Sequence, residues 1–340
     1  MNAEDRTTSR QIHLASRPEG WPTEDTFRFE EVELPELGEG EVRVANEFVS
    51  VDPYMRGRMV EQESYVEPYR LGEAMDGGAV GRVTASRDPS LPEGTLVQHM
   101  QGWRDVAQGP AASFTAVPEI EDAPSSVHLH ILGMTGLTAY TGLVEVGRLR
   151  EGEAVFVSGA AGSVGTAAGQ FARLLGASRV VGSAGSDEKV AVLTEKYGYD
   201  AAVNYKDAPI REQLPAAMPD GIDVYYDNVG GDHLEAAIDV MNRGGRGVLC
   251  GAISSYNEQT ASPGPDNLGR LITFSLSLRG FTVREFVERY RDEFADRAGT
   301  WLREGRLTYD ETVVDHLENA PQAFIDMMKG ANIGKMLVRI

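Results

Sequence analysis

Apolar and polar positions follow two different rhythms along this 340-residue chain. From residue 154 onward, short apolar, Val- and Tyr-rich runs at 154–157, 179–183, 201–204, 222–227, 247–250 and 278–283 predict strands buried on both faces. Stretches with helical period fill the gaps at 166–176, 187–197, 210–217, 232–241 and 285–304. Strands alternating with helices of about 10–15 residues predict a parallel, doubly wound α/β sheet. The first 130 or so residues read otherwise. Short β-type stretches at 26–32, 41–51, 78–85, 95–99 and 112–117, cut by Gly, Pro and acidic turns, predict an antiparallel domain closing into a small barrel. A helix begins near Leu132, and the tail from Leu307 carries a β-type stretch, a helix at 321–329 and a last strand at 335–339. The expected organisation is a β domain over 1–132, a nucleotide-binding domain over 133–306, and a return to the first domain over 307–340.

The sharpest local signal is Ala154-Val-Phe-Val157 followed by Gly159-Ala-Ala-Gly162-Ser-Val-Gly165 and then a helical segment. A strand, a tight glycine turn and a helix N-terminus in that order form a device for a dinucleotide pyrophosphate. Small residues admit the phosphates, and unpaired N–H groups of the first helical turn face the anion. Gly162, Ser163, Val164, Gly165 and Thr166 are the expected contacts. Ala160 stands where the first glycine of G-x-G-x-x-G would be, which leaves Gly162 and Gly165 for close approach and helix packing.

About 20 residues further on, an NAD site would offer a carboxylate to the ribose 2′-OH. This strand instead ends Gly182-Ser183. Ser186 and Lys189 follow, then Tyr205 and Lys206, and a hydroxyl, an ammonium and a phenol suit a 2′-phosphate. Asp187 and Glu188 count against that assignment unless they serve as ordinary first-turn helix residues. The expected cofactor is NADP.

Composition narrows the partners. A net charge of −20 excludes nucleic acid and anionic membranes as partners, since both need basic surface. Only five residues are lysine, so the acidity reflects either a high-salt source or a genome favouring arginine codons. One cysteine, Cys250, excludes an internal disulfide and a Cys-rich zinc site. The polar start, with no apolar stretch of signal-peptide or membrane-spanning length, fits the cytoplasm.

Five further blocks make the chain recognisable: Ser50-Val-Asp-Pro-Tyr-Met-Arg56, Met75-Asp-Gly-Gly-Ala-Val-Gly81, Asp227-Asn-Val-Gly-Gly231, Cys250-Gly-Ala-Ile-Ser-Ser-Tyr-Asn257 and Gly330-Ala-Asn-Ile-Gly-Lys335. With the glycine turn they resemble the medium-chain dehydrogenase/reductase superfamily, in its zinc-free branch of prostaglandin reductases, leukotriene hydroxydehydrogenases, curcumin reductases and alkenal double-bond reductases. The resemblance implies a Rossmann domain inserted into a GroES-like barrel, usually a homodimer, and NADPH-dependent reduction of activated C=C bonds. It further implies that Lys189 and Tyr205 hold the 2′-phosphate and that Asn228 lies near the nicotinamide ribose. Cys250, Gly251, Ala252, Ile253, Ser254, Ser255 and Tyr256 would line the cofactor, with Phe281, Thr282 and Val283 beside the carboxamide. Asn332 would reach back from the tail.

A zinc alcohol dehydrogenase would share the fold but needs Cys and His ligands. The segment that carries Gly-His-Glu in zinc members reads Gly72-Glu-Ala-Met-Asp-Gly here, and no metal site is expected. Without a Lewis acid, an enone or enal is the easier electrophile, because hydride addition at the β-carbon moves charge to the carbonyl oxygen. That oxygen requires a hydrogen-bond donor. Tyr256 is the first candidate and Tyr54 the second, although Asp-Pro-Tyr also reads as a turn with a packed aromatic; Tyr65 and Met134 are weaker choices for the cleft wall. An NADPH:quinone reductase, or a non-catalytic NADPH-binding protein, remains the alternative.

Overall fold

The computed structural model describes residues 7–260 and 263–340. The first six residues of the polar start, and Ala261 and Ser262 of the loop after Cys250, lie outside them. The chain forms two units. One ends at His130 and resumes over Glu311–Ile340; the other is Ile131–Asp310. Pattern alone had put these boundaries at 132 and 306.

Among the described residues, the second unit holds six parallel strands. They lie in the order Ala201–Asn204, Arg179–Ala184, Ala154–Val157, Ile222–Asp227, Met241–Leu249 and Ser277–Gly280. Central strands read as continuous apolar runs because helices cover both faces: Ala154–Val157 is buried at every position. Phe156 stacks on Tyr225 of the neighbouring strand at 5.3 Å, within a core that includes Leu214, Ile222 and Ile238. Each such side chain contributes about 1.5–3 kcal/mol by leaving water. The last strand is shorter than its pattern suggested. It ends at Gly280, and Val283 of its expected span instead begins a one-turn helix, Val283–Glu285, capped by Thr282.

Helix Val287–Arg303 buries Tyr290, Phe294, Ala298 and Trp301, one stripe at helical spacing. The stripe meets Tyr140 of helix Met134–Thr141 and Phe171 of helix Ser163–Leu174 edge-on or tilted, at 5.8–6.3 Å. Past Thr141 the helix widens to a π turn, Gly142–Val146. Tyr226 occupies that spot: a side chain on Gly142 would fall 2.5 Å from its ring, and its hydroxyl donates to the Thr138 carbonyl at 2.9 Å.

The first unit is a GroES-like sheet of seven strands among the described residues. Its order is Glu311–Asp315, Lys335–Arg339, Glu41–Ser50, Ala79–Ser86, Leu96–His99 and Phe114–Ala116, with Val106–Pro110 paired on Glu41–Ser50. The expected all-antiparallel pattern needs one correction: Glu311–Asp315 and Lys335–Arg339 run parallel, joined by helix Ala320–Met328 as a crossover. Thr8–Leu14 pairs with Phe27–Glu33 in a separate two-stranded sheet. Both Thr8–Leu14 and Val106–Pro110 went unmarked by the hydrophobic pattern.

His99 is buried in this sheet. Its Nδ1 accepts from the Gln101 N–H at 3.1 Å, so Nε2 carries the proton and donates to Asn46 Oδ1 at 2.9 Å. Burial, with Arg104 nearby, lowers its pKa to about 3. The folded state therefore holds His99 neutral, while the unfolded state takes up a proton below about pH 6.5. In that window the unfolded chain binds more protons, so stability falls as pH drops, by up to about 1.4 kcal/mol per pH unit. Urea midpoints for the wild type and His99→Gln between pH 7 and 4.5 check this. The variant is expected to lose part of the acid sensitivity; identical slopes would remove His99 as its source.

Candidate functional site

The carboxyl ends of three adjacent strands form one hydrogen-bonded edge. Asp227 closes its strand, and its Oδ1 accepts from Ser158 Oγ and from the N–H groups of Val229 and Gly230, all within 2.9 Å. Ser158 Oγ accepts from the Asn228 N–H, and Asn228 Nδ2 donates to the Ser158 carbonyl at 2.8 Å. The amides of Cys250 and Gly251 donate to the Asp227 carbonyl. Those of Ile253 and Ser254 reach the carbonyls of Asn228 and Val229. Ser254 Oγ adds a bond to Val229 at 2.6 Å. Asn228 and the segment from Cys250 to Tyr256 are thus brought together. The Asp227 carboxylate that joins them escaped sequence reasoning, though an Asp followed by Asn-Val-Gly-Gly is a readable Asx-turn signal.

Beside this edge lies the glycine turn. Gly159 has φ +59°, and the Ala160 amide donates to the Ser183 carbonyl. A side chain on Gly165 would fall 2.5 Å from the Gly159 carbonyl oxygen and 2.6 Å from Ala160 Cα, so only glycine fits there. Helix Ser163–Leu174 starts at Gly162 with no side-chain cap. Among the described residues, the amides of Ser163, Val164 and Gly165 consequently have no protein acceptor, whereas Thr166 N–H returns to the Gly162 carbonyl. Three outward N–H donors at a helix N-terminus suit an anion. The Ser163 hydroxyl is held by Thr135 at 2.9 Å.

The next strand ends at Ala184, one residue beyond its expected end, with the Ser183 side chain buried. Ser186 caps helix Asp187–Glu195, its hydroxyl accepting from the Lys189 N–H at 3.3 Å. Lys189 is half-buried, and its pKa is lowered by that burial and by the positive charge of Lys206. A side chain on Gly185 would fall 2.8 Å from Tyr205 Oη and 3.2 Å from Lys206 Cε, so both residues border this turn. Tyr205, 39% exposed, sits edge-on to His233 at 5.1 Å.

Tyr256 follows the short turn Ile253–Ser255 and is held against Gly251. Its phenol oxygen accepts from the Ala252 N–H at 3.3 Å, while its own proton has no acceptor among the described residues. Burial raises its pKa, an effect that the Ala252 bond partly offsets. The phenol is a donor throughout the neutral range. Cys250 is packed rather than reactive: burial pushes its thiol up to about 12. Phe281 donates its N–H to the Leu249 carbonyl, and Thr282 and Val283 form the capped turn beyond it.

Tyr54 and Asn332 belong to the other unit. Tyr54 opens a short helix, Tyr54–Arg58, where sequence suggested a simple turn; its hydroxyl is buried without a partner among the described residues. Asn332 Nδ2 donates to the Gly334 carbonyl at 2.7 Å. The following residue, Lys335, is 1% exposed and pairs with Asp52 at 3.0 Å, two residues before Tyr54. Tyr65 is 56% exposed.

Residues 10–117 match the family model described as the N-terminal domain of oxidoreductase, and residues 163–299 match that described as zinc-binding dehydrogenase. A putative NADP-dependent oxidoreductase of Bacillus subtilis is 45% identical over 98% of this chain and 98% of its own length. The chain belongs to the medium-chain dehydrogenase/reductases. Within that superfamily it falls in the branch of prostaglandin, curcumin and alkenal reductases. The NADPH-dependent curcumin reductase of Escherichia coli is 40% identical over 98% of this chain and 97% of its own. A crystal structure of CurA from Vibrio vulnificus in complex with NADPH is 38% identical, with a TM-score of 0.92 over 97% of this chain and 98% of that one.

Proposed function

We propose that this reductase uses NADPH to saturate the C=C bond of α,β-unsaturated ketones and aldehydes, without zinc. Tyr256 carries the reading: a protonated phenol, fixed through its oxygen, with its proton uncommitted, beside the stitched strand edge. The relatives' names, an NADP-dependent oxidoreductase and a curcumin reductase, support the same class.

The residues fit the cofactor: the turn is open at Gly162, where a side chain would meet only the Gly159 carbonyl oxygen at 3.4 Å, and the amides of Ser163, Val164 and Gly165 lack protein acceptors among the described residues. We assign the pyrophosphate to the turn Gly162–Thr166. The 2′-phosphate falls to Ser186, Lys189 and Tyr205, and the nicotinamide half to Asn228, the segment from Cys250 to Tyr256, and Phe281, Thr282 and Val283. Roles for Asn332 and Tyr54 rest on the family resemblance. Bound NADPH supplies a hydride. Tyr256 donates a hydrogen bond to the oxygen that gains charge as the β-carbon is attacked, directly or through the ribose hydroxyl, and the α-carbon of the resulting enolate takes a proton from water or an acid to complete the saturation. The single cysteine and the sequence Gly72-Glu-Ala-Met-Asp-Gly support a zinc-independent reaction. A homodimer in the cytoplasm rests on the family resemblance and on cysteine usage.

NADPH oxidation followed at 340 nm with a 2-alkenal, 3-nonen-2-one and benzoquinone tests the proposal. Turnover of the enal and enone is expected, with kcat/KM for NADPH at least tenfold above that for NADH. Turnover of benzoquinone alone would favour the quinone reductase. Tight NADPH binding without oxidation by any of the three would mark a binding protein.

A further inference from the structure

The segment after strand Ala201–Asn204 is organised by one side chain. Asn204 Nδ2 donates to Asp187 Oδ1 at 2.9 Å and to Asp207 Oδ1 at 3.0 Å. Its Oδ1 accepts from the Lys206 N–H at 3.1 Å. A primary amide has two donor hydrogens and one acceptor oxygen, and each of these groups is engaged. Gln213 closes the same turn from outside, donating to the carbonyls of Asn204 at 2.9 Å and Ala208 at 2.6 Å. Tyr205, between the two, ties its N–H back to the Ala184 carbonyl.

The consequence concerns charge. Two of the chain's five lysines meet at this turn: Lys206 Cε lies 3.2 Å from where a side chain on Gly185 would begin, and Lys189, four residues after Gly185, feels its positive charge. Like charges so placed repel, and a dianionic group between them relieves the repulsion. Lys206 makes no ion pair among the described residues, in a protein with twenty more acidic than basic side chains. The carboxylates around the pair are Asp187, Glu188 and Asp207: Glu188 acts on Lys189, whereas Asp187 and Asp207 are held by the Asn204 amide.

We propose that Asn204 is the positioning residue for 2′-phosphate selectivity: it restrains Asp187 and Asp207 and orients the turn that presents Lys206, so that Lys206 joins Lys189 as a second cation for the phosphate. This inference rests on the NADP reading above. It assigns to Asn204 and Lys206 a role in choosing between the two nicotinamide cofactors, not in the hydride transfer.

Calorimetric titration of the full chain with 2′-phospho-ADP-ribose and with ADP-ribose separates the two claims. The wild type is expected to bind the phosphorylated ligand at least tenfold more tightly. Asn204→Asp, which replaces the two donor hydrogens with a third carboxylate, should cut that ratio about tenfold or more, and Asn204→Ala by less. Lys206→Met should cut it about fivefold and flatten the salt dependence of binding. ADP-ribose affinity should stay within twofold in all three. No preference in the wild type would overturn the NADP reading itself. A preserved ratio in Asn204→Asp and Asn204→Ala, or equal weakening of both ligands, would overturn the role of Asn204 and leave the NADP reading standing.

Discussion

Replacing Tyr256 with Phe is expected to lower kcat for an enone by about 10²- to 10³-fold while changing the NADPH dissociation constant less than about threefold. The size follows from the chemistry. A donor aimed at a developing oxyanion is typically worth about 2.7–4 kcal/mol in the transition state and little in the ground state. Here the phenol oxygen is fixed by the Ala252 N–H at 3.3 Å, which leaves the hydroxyl proton free to turn toward substrate. The ring remains in Tyr256→Phe, so its packing against Gly251 is kept. What is lost is one donor, together with the partner of the Ala252 amide. Because burial raises the Tyr256 pKa, kcat of the wild type should not fall through loss of this proton anywhere below about pH 10. Steady-state kinetics with 3-nonen-2-one, alongside fluorescence titration with NADPH, give both numbers. A KM or binding defect at unchanged kcat would make Tyr256 a ribose contact only.

How much of this could be read from sequence depends on what encloses each segment. Ala154–Val157 and Ile222–Asp227 were bounded to the residue, because a strand covered on both faces reads as a largely apolar run with abrupt ends; Ala201–Asn204, a half-buried edge strand, was bounded as well. Thr8–Leu14 was invisible for the opposite reason. Its inward positions include Ser9, Gln11 and His13, polar residues linked in a chain: Ser9 Oγ donates to the Val106 carbonyl, and Gln11 bridges Ser9 and His13 Nε2. A hydrophobic alternation cannot mark a strand whose buried face is hydrogen-bonded. The glycine turn was legible because its constraints are local: Gly165 is fixed by atoms of Gly159 and Ala160, a few residues away. The role of Asn204 was not, because Asp187, 17 residues before it, meets it only once two parallel strands are in register.

The second large effect lies in the first unit, at Asp52. Asp52→Ala is expected to cost about 3–5 kcal/mol, or about 6–20 °C in the melting temperature of that unit. Lys335 Nζ spends its three donors on Asp52 Oδ1 at 3.0 Å, the Val51 carbonyl at 2.6 Å and the Met336 carbonyl at 2.9 Å. The carboxylate's other oxygen accepts from Ser50 Oγ. Removing the carboxylate leaves an ammonium sealed among carbonyls, with no ion-pair partner and only the field of Glu311 to oppose its charge. Burial already lowers the Lys335 pKa against the pull of Asp52, and without Asp52 the lowering deepens. The sign of the pH response follows. Between the lowered folded value and the ordinary lysine value near 10.4, the unfolded chain binds more protons, so stability rises with pH in that window. The deficit of Asp52→Ala should therefore shrink as pH is raised toward 10. Asp52→Ala with Lys335→Met should recover most of the loss, since an apolar replacement of a whole buried pair is often neutral or better. Thermal and urea unfolding of the two variants at pH 7 and 9.5 decide the matter: an Asp52→Ala melt within 2 °C of wild type, or no recovery in the double variant, would show that the pair does not set stability. The pair also anchors the last strand beside Tyr54, because Leu337 lies opposite Ser50 and the Val51 N–H donates to the Met336 carbonyl. If the double variant regains stability but turns over enone slowly, the charge pair is retained to hold the Tyr54 helix start in place rather than to hold the fold together.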